Sequence, residues 1–216
     1  MKPIIKFNSI ILSLTTIVIF AGWVSLSDLI IKYPELTIIL SGIFSIGVYR
    51  MFFLLLSLAV KNWIWFKSLV FGNYFLEGTW VGFFIGNEGK VRYYVETFEQ
   101  DFESVIIRGK SFNETGYHAS WIAETNNIDV KRGTLSYTYN TDAIGNTFIN
   151  SGIAFFNFER SCLNKAPNSL IGFSSDLYNP RKFKSFEKKI SYNTSHDYVG
   201  ALDTAKEIYT LNKHVF

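Results

Sequence analysis

The chain has 216 residues, close to half of them apolar, with 21 basic against 18 acidic residues and a formal net charge of +3. That length leaves room for one domain of about 120–140 residues beside a membrane segment. The basic excess belongs to residues 1–72, at +4, while the remainder stands at −1, which argues against a DNA or RNA polymer as partner; the lone Cys162 excludes an intramolecular disulfide and fits a reducing compartment.

Phe7 to Ser27 is a run of 21 residues without a charge, enough helix to cross a hydrocarbon core of roughly 30 Å. A polar break follows (Asp28, Lys32, Pro34, Glu35), and Leu36 to Val60 is apolar again apart from Arg50 and a few small polar residues. Two such spans predict a transmembrane hairpin. Its first run is longer than a secretory apolar region, and no small-residue cleavage pattern precedes Asp28. Lys2 and Lys6 precede the hairpin and Lys61 and Lys67 follow it, so the positive-inside rule places both termini and everything after Val60 in the cytoplasm. Ser13, Thr16, Gly22, Ser41, Gly42, Ser45 and Gly47 suit close helix packing, within the hairpin or between copies. Arg50 lies roughly 21 Å along the second helix, where it snorkels to headgroups or faces protein in an oligomer. Trp63 and Trp65, flanked by Lys61 and Lys67, read as an interfacial anchor.

From Leu76 the pattern becomes short strands with turn punctuation. The predicted strands are Leu76–Ile85, Lys90–Phe98, Phe102–Phe112, Tyr117–Glu124, Ile128–Tyr139, Thr147–Phe158, Ser169–Leu177 and Lys182–Tyr192, with a bulge near Gly133. Their regular spacing predicts an antiparallel meander, and eight strands close a small, lipocalin-like barrel able to hold one compact ligand. Ala201–Leu211 reads as a short helix that closes an end or packs outside. The expected division is a membrane hairpin with interfacial segment over 1–72 and a cytosolic β-barrel sensor over 73–216.

No catalytic constellation emerges. His118, His196 and His214 hold no metal-ligand spacing, and no phosphate-cradling glycine loop or Gly-x-Ser-x-Gly elbow occurs. His196-Asp197 reads as a solvated turn. The chain is therefore expected to be no enzyme, without metal, cofactor or catalytic residue.

Gly78-Thr79-Trp80 on the first strand is similar to a lipocalin-type barrel opening. Together with the hairpin, the short segment after it and the Leu170-Ile-Gly-Phe-Ser-Ser-Asp176 strand, the chain resembles a bacterial family. These are the CD-NTase-associated effectors of cyclic-oligonucleotide-based antiphage defence (CBASS) that join two transmembrane helices to a minimal β-barrel. The resemblance covers roughly residues 7–192. It implies a multi-pass protein of the bacterial inner membrane, whose barrel binds a cyclic dinucleotide made by a cognate nucleotidyltransferase during infection. It further implies homo-oligomerisation through the helices, disruption of the lipid bilayer and abortive infection. The family supplies no residue motif to transfer, so the site is read from what such a ligand demands. Bases want aromatic platforms, phosphates want Arg, and base edges want small polar groups. The candidates are Tyr94, Trp121, Tyr137 and Tyr139 for stacking, Arg108 and Arg160 for phosphate, and Asn150 and Ser174 for polar contacts. Strand alternation puts only one face inside, so a one-residue error inverts each assignment. Trp80 and Trp121 could equally fill the barrel floor. The alternative is a membrane-anchored, lipocalin-like binder of an apolar ligand; a holin-like pore leaves the strand-rich domain unexplained.

Overall fold

The computed structural model describes residues 2–25, 27–86, 89–113, 116–143, 150–178, 180–194 and 198–215. His196 and Asp197 lie outside them. The chain separates into two compact units, Met1–Gly72 and Asn73–Phe216.

The first unit is helical: α1 (Pro3–Ser25), α2 (Ser27–Lys32), α3 (Pro34–Asn62) and α4 (Ile64–Phe71). α1 and the Thr37–Asn62 part of α3 are each long and apolar enough to cross a membrane, with mean hydropathy 2.0. They pack through a narrow seam, with Phe7 and Phe53 edge to face at 5.9 Å, and leave Leu12, Ile17, Phe20, Ile39, Ile43 and Ile46 exposed. So much uncovered apolar surface points to membrane association, since lipid replaces water there at no cost. Several hydroxyls agree with such a medium: Ser13 donates to the Ser9 carbonyl, Thr16 to Leu12 and Ser45 to Ser41, which satisfies these three within their own helices. Of the small residues, Gly22 meets Phe44 in α3, whereas Gly42 and Gly47 have nothing packed over them within the chain. Trp63 adopts an extended conformation that separates α3 from α4, and Trp63 and Trp65 stand exposed with their rings stacked.

The second unit is a closed, all-antiparallel barrel in chain order, β1 (Gly78–Ile85), β2 (Val91–Gln100), β3 (Val105–Asn113), β4 (Gly116–Asp129), β5 (Thr134–Ala143), β6 (Asn150–Glu159), β7 (Ser169–Asp176) and β8 (Phe183–Ser191), with β8 pairing back to β1. A C-terminal helix, α5 (Tyr198–Asn212), follows. The lipocalin-like, eight-stranded expectation holds, and the C-terminal helix takes the second of its two expected places, outside the barrel rather than across an end. Most strand ends shift by one to four residues, with the expected start of the sixth strand at Thr147 outside the described residues; the largest difference lies between β4 and β5. The predicted break at residues 125–127 is strand: β4 absorbs a bulge between Ala123 and Thr125 and runs on to Asp129. The reversal comes at 130–133, where the Asp129 carboxylate accepts from the Arg132 amide and its carbonyl from the Gly133 amide. Gly133, at φ 74°, is thus a turn residue rather than a strand bulge.

Alternation sorts the barrel into an interior and an exterior. At the end where β1 begins, Leu76, Trp80, Phe98, Ile107, Leu135, Phe156 and Leu170 form a solid floor, with the Trp80 indole N–H on the Leu76 carbonyl at 2.8 Å. Outside, α5 lays Ala201, Ala205 and Ile208 on Val81 and Phe83 of β1; Tyr209 meets Phe83 edge to face at 5.0 Å.

Lys189 of β8 sits in the floor, largely buried, with its ammonium 4.6 Å from the Phe75 ring centroid and 5.0 Å from that of Trp80. Burial pulls its pKa down to about 7, opposed by the nearby Glu77 carboxylate. The folded pKa lies below the unfolded one, so the stability from a neutral amine is present above the unfolded pKa and lost as pH falls through about 7. Relative to Lys189→Met, the full-length protein in detergent should gain thermal stability between pH 7 and 9, by up to roughly 1.4 kcal/mol per pH unit. Parallel melting curves across that range for the two proteins would contradict the burial argument.

Candidate functional site

Above the floor the barrel opens into a cavity of about 440 Å³, within the usual size of small-molecule sites. Its walls change character with depth. The hairpin ends of β1–β2, β3–β4 and β5–β6 form the mouth, where Lys90, Arg92 and His118 are placed beside Phe84, Thr141 and Asn150. Below lie Tyr94, Trp121, Tyr137 and Tyr139 with Ser174 and two acids, Glu96 and Asp176.

Three strand-interior glycines build this middle layer. Trp121 of β4 lies across Gly109 of β3, where a Cβ would stand 2.0 Å from the indole. From there its N–H reaches Glu96 Oε1 on β2 at 2.7 Å. Tyr139 of β5 lies across Gly152 of β6, a Cβ there being 2.3 Å from the ring, and its hydroxyl donates to Asp176 Oδ1 on β7 at 3.1 Å. Tyr94 of β2 crosses Gly82 of β1 toward Glu187 of β8, which faces Gly82 from the other side. Each ring thus spans a neighbouring strand that has no side chain to block it.

The centre of the layer is a pair of buried carboxyls. Glu96 and Glu187 are 1% and 0% exposed. Glu96 Oε1 accepts from both Trp121 and the Tyr137 hydroxyl, the latter at 2.8 Å, whereas Glu96 Oε2 and both Glu187 oxygens meet no N–H or hydroxyl donor. Burial raises the pKa of Glu187 well above the carboxylate range, and the charge of Glu96 and a bond to it raise it further. Burial also raises Glu96, but bonds from Glu187, Tyr137 and Trp121 oppose the shift. Glu187 therefore holds the proton and donates it toward an ionised Glu96. Burial, together with these acids, also pushes the Tyr94 and Tyr137 hydroxyls well above their ordinary pKa and keeps them neutral donors. At the mouth, His118 is lowered by burial and then by Arg92.

For an acid whose folded pKa is raised, stability is fully present below the unfolded pKa and is lost as pH rises through the folded value. Glu187→Gln keeps a donor toward Glu96 without an ionisable proton. It should melt above the wild type by an amount that grows from pH 5 to pH 8, reaching at least about 1 kcal/mol, or roughly 2–4 °C. A constant offset over that range would show that Glu187 does not carry the proton.

Of the eight sequence-derived candidates, Tyr94, Trp121, Tyr137, Tyr139, Asn150 and Ser174 line the cavity. Arg108 and Arg160 do not, and both phosphate assignments are corrected here. Arg108 has outward parity between inward Ile107 and Gly109, and pairs with Glu99 at 2.6 Å on the exposed surface. Arg160 lies past the end of β6 near the β4–β5 turn, at the floor end, donating to the Val130 carbonyl at 2.9 Å. Trp80 fills the floor, whereas Trp121 lines the cavity wall. Among the described residues the cations that line the cavity are Lys90 and Arg92, joined by the His118 imidazole; none of the three is among the sequence-derived candidates. Among the described residues no cluster of His, Cys, Asp and Glu could hold a metal ion. No protein-family model matches the chain, and no curated protein matches its sequence.

Proposed function

We propose that this chain is a membrane-anchored sensor whose barrel captures a cyclic dinucleotide, and that capture drives assembly of the hairpins and disruption of the bilayer. The observation that carries this reading is the layering of the cavity. A cationic mouth suits phosphates, and the aromatic and hydrogen-bonding layer beneath suits a nucleobase. The apolar-ligand alternative is disfavoured by Lys90 and Arg92 at the mouth and Asp176 in the wall, because a hydrocarbon would desolvate charged groups without offering them a hydrogen bond. The rest of the reading follows from the architectural resemblance. The protein acts as a binder rather than a catalyst, in the inner membrane of a bacterium, with its barrel cytoplasmic. There it serves antiphage defence downstream of a cognate nucleotidyltransferase.

The test uses the full-length protein in detergent and in dye-loaded vesicles. A panel of cyclic dinucleotides is titrated by calorimetry, and the ring that binds should also release dye. A ligand at 100 times its dissociation constant should add about 2.7 kcal/mol of stability. Leucine at both Ser41 and Ser45 should leave binding intact and stop release. If no member of the panel binds, or if copurifying lipid alone occupies the barrel, the reading fails.

A further inference from the structure

We infer that Asp176 and Asn150, on the β6–β7 wall of the cavity, form a subsite for the exocyclic amine of a nucleobase, so that the barrel selects amino-bearing rings over rings that carry carbonyls alone. This rests on the cyclic-dinucleotide reading for the identity of the whole ligand, whereas the subsite itself needs only one nucleotide.

Asp176 ends β7 just inside the cavity, where it is half-buried. Its Oδ1 receives the Tyr139 hydroxyl at 3.1 Å, and that hydroxyl in turn accepts from Ser174, so the carboxylate is held in one orientation. Oδ2 has no partner among the described residues and is not sealed from solvent. It is an open acceptor, and a carboxylate has no donor to offer in its place. Asn150 begins β6 on the same wall. The residue paired with Asp176 is Gly152, and Asn150 stands two places nearer the mouth on the same face. Diagonal neighbours of this kind lie about 7–8 Å apart, a gap that one planar edge bridges with a hydrogen bond at each side. The Asn150 amide can turn its N–H inward to meet an acceptor there.

The cations stand on the other side. In a closed eight-stranded barrel β7 lies across from β3, and Arg92 on β2 and His118 on β4 flank β3 at the mouth. The cavity is therefore polarised across its width, with positive charge on the β2–β4 wall and an acceptor on the β6–β7 wall. A matched ligand lays a phosphate on the first and N–H groups on the second, because a phosphate against Asp176 would be repelled. An amine beside a ring nitrogen or a carbonyl gives Asp176 a donor and Asn150 an acceptor. Uracil has no amine and flanks its one N–H with two carbonyls, so an acceptor falls against the carboxylate. A fully dry site rejects such a mismatch by roughly ten-thousandfold. Asp176 is half-buried, so water softens the contrast to about tenfold.

The full-length protein in detergent is titrated by calorimetry with cyclic di-AMP, cyclic di-GMP and cyclic di-UMP, for wild type and Asp176→Leu. A parallel thermal-shift series uses adenosine 5′-monophosphate and purine riboside 5′-monophosphate, which differ only in the amine. On wild type the tighter of the two amino-bearing rings should bind at least about tenfold better than the uracil ring, and the adenosine nucleotide should raise the melting temperature more than its amine-free counterpart. In Asp176→Leu both preferences should fall to within about threefold. A uracil ring that binds wild type as tightly as both amino-bearing rings overturns the inference. A preference that survives Asp176→Leu also overturns it, and tighter binding of all three rings in that variant would mark Asp176 as no more than a repellent of phosphate. Should no ring bind, the cyclic-dinucleotide reading falls and the two mononucleotides alone judge the subsite: equal shifts, or none, overturn it. If Asp176→Leu does not fold, the two mononucleotides on wild type decide.

Discussion

Replacing Gly82 by valine is expected to cost at least about 4 kcal/mol and to leave little folded barrel at 37 °C. A Cβ at this position would stand 2.1 Å from the Phe186 carbonyl oxygen and 2.8 Å from both the Tyr94 ring and the Glu187 Cβ. The first of these is backbone in the β8 ladder and cannot rotate away. The other two are held inside a packed barrel, so overpacking forces the β1–β8 seam apart rather than moving one side chain. That seam closes the barrel, and opening it would expose two sheet edges. Valine is otherwise favourable in a strand, which makes the test sharp: intrinsic propensity predicts a gain and the packing predicts collapse. Loss of the cooperative melt of the full-length protein in detergent, with the helical signal of the hairpin retained, is the expected result. A melting temperature within a few degrees of wild type would mean that Tyr94 and Glu187 do not meet across β1.

The same position explains what could and could not be read from the chain. The strands were legible because turn residues punctuate them and Pro167 and Pro180 both fall between them. Orientation of individual residues was not. In β2 the sequence Val-Arg-Tyr-Tyr-Val-Glu-Thr-Phe puts apolar residues on both faces. The outward set (Val91, Tyr93, Val95) is covered by α5, so it carries no polar signal to mark it as exterior. Arg92 and Glu96, though inward, then look like the solvated side. Arg108 illustrates the converse, since a basic residue preceded by two adjacent isoleucines, Ile106 and Ile107, offers no parity at all. Tyr94, Trp121, Tyr137 and Tyr139, chosen as platforms for a base, fall on the inward parity, whereas Phe83, Tyr93 and Phe186 are equally aromatic and face outward under α5. What marked their exact use was present but unread. Gly82, Gly109 and Gly152 lie inside strands, where glycine is unfavourable unless something passes close. Each pairs directly with the acid toward which the crossing ring points: Gly109 with Glu96, Gly152 with Asp176 and Gly82 with Glu187. The buried carboxyl pair was beyond reach, because nothing in the chain places Glu96 beside Glu187 until β8 pairs with β1.

If the barrel holds a cyclic dinucleotide as proposed, Arg92→Glu should weaken its binding by about 100-fold or more, whereas Arg108→Ala should leave it within about twofold. Both are strand arginines, and only their parity separates them. Arg92 stands opposite Phe84 at the cavity mouth and near enough to His118 to lower its pKa. Reversing its charge removes a charge-assisted bond and sets a carboxylate against the phosphate in a partly desolvated opening, where one such bond is worth roughly 1.5–3 kcal/mol. Arg108, paired with Glu99 in water, contributes at most about 1 kcal/mol to stability and nothing to the cavity. Neither change touches the floor or the β1–β8 seam, so melting temperatures of both variants without ligand should stay within about 3 °C of wild type. In vesicles, Arg92→Glu should abolish ligand-dependent dye release at ligand concentrations that saturate the wild type, and Arg108→Ala should retain it. His118→Ala gives the intermediate case: a half-buried imidazole held neutral by burial and by Arg92 can donate one hydrogen bond but no charge, so a loss of about threefold to tenfold is expected. If Arg92→Glu binds as tightly as wild type while Arg108→Ala does not, the phosphates lie against the outer face of β3, and the cavity mouth is not the entrance.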